Sequence, residues 1–256
     1  MRLSRPVLLL LLAVLSCSST FSQQSPPQRD PVALQLLNQA FLLMGGPRKA
    51  QVADVRVEGT LALPSAPDLA AGTFLAKARG WDISIDTVRG ADRTSYRILG
   101  GRGSLRRNGD LKWLPPHNTG GTSLDSLPLF SRWTDFLSPN ATITSPQLVT
   151  LDGLLCQLIH FAAQDTGRDF MNEHGKVDVL LDSNTGLVAA IRYRVSAGPH
   201  VGDQVQIENR FANYQDFGGF LLPTRITRYI FGRPSILLRV TAVRFNNGFS
   251  DADFQN

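Results

Sequence analysis

From Val55 onward the chain is written in period two. Val55, Val57, Leu61 and Leu63 alternate with Arg56, Glu58, Thr60 and Ala62. Trp81, Ile83 and Ile85 alternate with Asp82, Ser84 and Asp86. Apolar residues at every second position predict strands that bury one face. Arg107-Asn108-Gly109-Asp110 predicts a two-residue hairpin, because Asn-Gly accepts positive φ at both turn positions. Its strands would run over 102–107 and 110–114, the second carrying Trp113. From Gln147 the pattern continues over 147–150 and 154–161. Val177, Val179 and Leu181 then lead into the turn Asp182-Ser183-Asn184-Thr185-Gly186, and Ile191, Tyr193 and Val195 return. Val205, Ile207 and Phe211 open another strand. Phe217-Gly218-Gly219-Phe220 punctuates it, and strands follow at about 221–231 and 235–245. Short strands between regular turn signals predict an antiparallel sheet or barrel.

The final strand is apolar on both faces. Strict alternation puts Leu237, Val243 and Phe245 on one side and Ile236, Leu238, Val240 and Ala242 on the other. Either a curled sheet with an apolar hollow or a two-sheet sandwich would bury both sets.

Two helices interrupt the strands. Asp30-Pro31 reads as an N-cap with proline in the first turn. Ala33, Leu36, Leu37, Ala40 and Met44 follow at helical spacing, until Gly45-Gly46-Pro47 stops the helix. Its apolar arc is wide, so it must dock onto the sheet. Leu129, Phe130, Trp133, Phe136 and Leu137 predict a second, short helix with a bulky aromatic face, ended by Pro139. That face either packs in the core or forms a lid over an apolar cavity.

The N-terminus carries a different signal. Arg2 and Arg5 precede an unbroken apolar run, Val7 to Leu15, and Thr20 and Ser22 suit cleavage after Ser22. This predicts a secretory signal peptide over 1–22, too short to span a membrane as a helix. Residues 23–29 read as a flexible polar leader, and 30–256 as one β-rich domain. Val14-Leu15-Ser16-Cys17 offers an alternative in which Cys17 is lipidated and the chain is anchored in the outer membrane rather than released to the periplasm.

Charge and chemistry narrow the function classes. The formal charge is +5, and Arg2 and Arg5 leave with the signal peptide. That mild excess gives no case for nucleic acid. Arg102, Arg106 and Arg107, and later Arg225, Arg228 and Arg233, read either as a solvated surface or as contacts for an anionic membrane surface. After cleavage Cys156 is the one cysteine, in an apolar stretch, and reads as a buried hydrophobe. His117, His160, His174 and His200 share no ligand spacing, so no metal or cofactor is expected. No nucleophile elbow is present. Glu173-His174 is an adjacent acid and imidazole without a third partner in the sequence. The chain therefore reads as a binder rather than an enzyme.

The order of parts resembles the LolA/LolB-like superfamily of periplasmic lipoprotein-sorting proteins. Three stretches carry the resemblance: Arg107 to Trp113, the 177–193 hairpin, and Tyr214-Gln215-Asp216-Phe217-Gly218-Gly219-Phe220-Leu221-Leu222-Pro223. The tail from Asn246 to Phe254 is similar too. The resemblance implies a mainly β fold with a few helices. It would be an antiparallel incomplete β-barrel (half-barrel) closed by the N-terminal helix and an inserted lid helix. It also implies non-covalent binding of an acylated lipoprotein or lipid in an apolar cavity. The alternative is an envelope sensor or outer-membrane assembly factor of the same fold that binds protein partners. Where LolA-type carriers place a lid-latching Arg in an early strand, this chain has Trp81 and Asp82. Expected cavity or lid residues are Trp81, Ile83, Ile85, Trp113, Phe130, Trp133 and Phe136.

Overall fold

The computed structural model describes residues 27–67, 71–115, 127–137, 141–163, 176–196 and 204–255. The predicted signal peptide, most of the leader, His117, Glu173, His174 and His200 lie outside them.

Helix α1 spans Pro31–Leu43. The Asp30 carboxylate accepts a hydrogen bond from the Ala33 amide at 2.8 Å, and Pro31 occupies the first turn, as the capping signal predicts. Gly45, at φ +84°, ends the helix in the left-handed region. A 3₁₀ helix, Gly46–Gln51, leads into the sheet.

Five hairpins follow in series: β1 (Val55–Ala62), β2 (Gly72–Arg79), β3 (Asp82–Arg89), β4 (Asp92–Leu99), β5 (Arg102–Arg107) and β6 (Asp110–Leu114). The β5–β6 turn is the expected one, with Asn108 and Gly109 both at positive φ. The segment 127–137 carries two 3₁₀ helices, Pro128–Phe130 and Arg132–Leu137. This differs from the single helix the apolar spacing predicts. Ser131 is extended between them, and three to six residues are too few to hold an α-helix against packing.

The remaining strands are β7 (Ala141–Ile143), β8 (Gln147–Leu151), β9 (Leu154–Ala163), β10 (Lys176–Asp182), β11 (Val188–Ser196), β12 (Gln204–Asp216), β13 (Leu221–Ile230) and β14 (Arg233–Phe245). All pair antiparallel in one sheet, ordered β6-β5-β4-β3-β2-β1-β14-β13-β12-β11-β10-β9-β7. β8 pairs along β9 beside β7, so the two share one edge. The sheet is open, and it is one sheet, not a sandwich.

One main core lies on the inner face. It joins Ala33, Leu37, Ala40 and Met44 of α1 to inward residues of nearly every strand. Leu127, Leu129 and Trp133 of the 127–137 segment complete it.

A β-bulge decides the faces of β14. Glu58 pairs with Ala242 but Gly59 pairs with Val240, so Thr241 is an extra residue. Alternation restarts after it. Leu238, Val240, Val243 and Phe245 therefore all join the inner core, and the split predicted by strict alternation is corrected. The outer face has its own smaller cluster around Leu151, Cys156, Leu158 and Leu180.

The C-terminal tail is tied to the outer face. Asp54 is 4% exposed. Its carboxylate accepts from the amides of Asn247 (2.6 Å), Gly248 (2.8 Å) and Phe249 (3.2 Å) and from Asn247 Nδ2 (2.8 Å). Lys77 then meets Asp253 at 2.7 Å, Arg79 meets Asp251 at 2.5 Å, and Phe254 is buried.

Candidate functional site

Two ends of the inner face differ. At the end holding the β2–β3, β10–β11 and β12–β13 turns, the hollow is plugged. Phe130 packs against Phe220 and Phe245 at centroid distances of 6.0 and 5.9 Å, and Phe220 meets Phe245 at 4.6 Å. Trp133 is wholly buried, and its Nε1–H donates to the Pro128 carbonyl at 2.7 Å. Lys49 Nζ donates to Thr134 Oγ1 at 2.7 Å and lies over the Phe130 ring. The 127–137 segment is thus anchored to both the sheet and the connection after α1.

Toward the opposite end the inner wall is less covered. Ile85, Tyr96, Leu105, Ile230, Ile236 and Leu238 point inward by register and are only half-buried. Apolar surface on a concave wall, rather than on a ridge, is what an apolar ligand requires.

Polar groups are set into this wall. Asn209 on β12 is 1% exposed, and its Oδ1 accepts from Arg228 Nε on β13 at 3.0 Å. Asn209 Nδ2 lies 3.5 Å from the Tyr193 hydroxyl on β11. Register places Ile191, Asn209, Arg228 and Ile236 in one cross-strand row on the inner face. A guanidinium therefore stands in this wall beside Ile236, held by a buried amide.

The sequence-derived residues separate into groups. Ile83 and Trp133 are fully buried in the core, while Ile85 and Phe130 are half-buried against it. Trp81 sits in the β2–β3 turn, 56% exposed. Trp113 lies on the outer face of the edge strand β6 opposite Ser104, 73% exposed. Of Phe136 only the backbone is described. The arginines 225, 228 and 233 do not form one patch: Arg225 and Arg233 are exposed, and Arg228 turns inward. Asn209 and Tyr193 were not among the expected site residues. The signal that could have found them is a polar residue in an inward slot, as in Ile207-x-Asn209-x-Phe211 and Ile226-x-Arg228-x-Ile230.

On the outer face His160 Nδ1 pairs with Asp178 Oδ1 at 2.7 Å. Beside it Glu208 bridges Arg192 and Arg210, and Arg210 also reaches Asp152. Burial pushes the Cys156 thiol above its ordinary value, with Asp182 adding to the rise, which keeps it protonated and unreactive. Among the described residues no cluster of His, Cys, Asp and Glu could hold a metal ion, and no helix is long and apolar enough to cross a membrane.

No family model matches the chain, and no curated protein does. Solved structures do. A putative outer membrane lipoprotein-sorting protein domain from Vibrio parahaemolyticus superposes with a TM-score of 0.51 at 15% identity, covering 87% of this chain and 96% of that one. A LolA superfamily protein from Nitrosomonas europaea gives a TM-score of 0.49 at 13% identity, covering 88% and 97%.

Proposed function

With a LolA-like fold in hand, we propose that this chain is an envelope protein that binds a lipid or the acyl chain of a lipid-modified protein in its inner hollow. Binding is non-covalent. The observation that carries the reading is the half-buried apolar wall from Ile85 to Leu238, left partly uncovered where the rest of the inner face is packed shut. Each methylene sequestered there contributes about 0.8 kcal/mol, less the ordering of the chain. Ile85 and Phe130 belong to the wall and its plug, and Ile83 and Trp133 hold the plug in place. Arg228, Asn209 and Tyr193 orient the ligand's polar end.

The apolar run Val7 to Leu15 supports export, and with it a periplasmic location or, through Cys17, an outer-membrane anchor. The likeness to a putative lipoprotein-sorting domain supports a carrier role.

The test is native mass spectrometry of protein purified from a bacterial periplasm, followed by organic extraction. The expected result is bound mass that extracts as a phospholipid, fatty acid or acylated peptide. In Ile230→Asp and Ile236→Asp variants that mass should be lost while the circular dichroism spectrum is retained. A clean apo mass that takes up neither added palmitate nor a palmitoylated peptide would refute the reading.

A further inference from the structure

The outer face of the β5–β6 hairpin sets exposed apolar side chains among cations. Trp113 and Leu111 stand two residues apart on β6, both on the outer side, 73% and 42% exposed. Arg106 lies directly opposite Leu111 across the strand pair. Arg102 at the start of β5 and Arg93 on β4 are exposed around them on the same face. On this face the hairpin carries Arg102 and Arg106 and no carboxylate, while Arg107, Asp110 and Lys112 turn to the inner side with Leu105. Neighbouring carboxylates are occupied elsewhere: Asp86 with Arg97 and Ser95, Asp92 with Arg89 and Asn108. The hairpin is also the edge of the sheet, so it can approach a flat surface without obstruction from a further strand among the described residues.

Exposing an indole and a leucine to water is unfavourable unless something covers them. An indole flanked by cations suits the boundary of an anionic bilayer. There the ring sits at head-group depth, the leucine reaches the acyl boundary, and guanidinium groups meet phosphates. We infer that the outer face of the β5–β6 hairpin docks onto an anionic membrane surface through Trp113, Leu111, Arg106 and Arg102. This surface lies on the opposite side of the sheet from the ligand hollow and does not depend on what the hollow holds.

The test is vesicle co-sedimentation of the purified protein in a Cys17→Ser background, so that no acyl anchor contributes. Phosphatidylcholine vesicles are compared with vesicles containing phosphatidylglycerol. The expected result is binding to the anionic vesicles alone, weakening as salt rises. Each removed cation should weaken binding about fivefold. The pair Arg102→Gln/Arg106→Gln should therefore weaken it about 25-fold, and Trp113→Ser should weaken it without changing the salt dependence. The control is Arg225→Gln/Arg239→Gln, which removes two exposed arginines paired across β13 and β14 and should leave binding nearly unchanged. Circular dichroism checks that each variant is folded. Three outcomes overturn the inference: no binding to anionic vesicles, a control as impaired as the hairpin variant, or a Trp113-dependent dimer in place of vesicle binding. The last would assign the surface to a second copy of the chain.

Discussion

Replacing Asp54 with alanine should loosen the C-terminal tail and leave the hollow intact. The carboxylate is buried and accepts four hydrogen bonds from residues 247–249, three of them from backbone amides. A hydrogen bond to a charged group contributes about 1.5–3 kcal/mol. Four would suggest a very large loss, but Asn247 and Gly248 are themselves exposed, so water can satisfy their amides once the tail lifts. That brings the expected loss to about 2–4 kcal/mol. For a domain of this size it is a fall in Tm of roughly 5–15 °C.

The effect has a pH signature. Burial alone would raise the Asp54 pKa, but the donors from Asn247, Phe249 and Gly248 overcome it and hold the group below the ordinary carboxylate range. A depressed folded-state pKa means the stabilisation is complete above the unfolded value and is lost as pH falls through the folded one. The Tm gap between wild type and Asp54→Ala should therefore be full at neutral pH and should close in acid. Differential scanning calorimetry across that range measures the gap, and hydrogen exchange at residues 247–249 locates it. A Tm gap that stays constant from neutral pH to below the carboxylate range would refute the argument. So would faster exchange spread evenly over the sheet.

Two other perturbations probe the packing. Gly59→Ala would place a Cβ 2.0 Å from the Arg239 carbonyl oxygen and 2.6 Å from the Phe74 ring, beside the β14 bulge. Overpacking of this kind costs about 1–3 kcal/mol or more, so chemical denaturation should show a markedly lower midpoint, with an unchanged midpoint counting against the bulge geometry. Cys156 should resist thiol reagents in the folded protein and react on unfolding, because burial raises its pKa and hides it between β8 and β10. Rapid labelling under native conditions would contradict that placement.

Much of the fold is legible in local chemistry. The Asp30-Pro31 cap, the Asn108-Gly109 turn and the Asp182–Gly186 turn act over a few residues, so they can be read without knowing what lies beside them. Strands β2 and β4 carry a weaker signal. In β2 two of the inward residues are Ala76 and Ala78, and in β4 the inward apolar residues are Tyr96 and Ile98 among polar neighbours. Small or sparse apolar residues leave little periodic signal, and those strands are held by their partners on both sides.

The site depends on a different kind of information. Composition and period alone determine a β-rich chain with one docked helix, because alternation and capping are near-neighbour properties. They do not determine which aromatic faces inward. Trp133 and Trp113 each follow a basic residue, yet one is buried under the sheet and the other stands in water. Nor could alternation foresee Thr241, whose extra residue arises only when β14 pairs with a strand some 180 positions earlier and reverses the side on which Val243 and Phe245 lie. The meeting of Tyr193, Asn209 and Arg228 is likewise a product of register among three strands. A strand's period sets what each residue can do. Its neighbours, fixed by long-range pairing, decide which side of the wall it does it on.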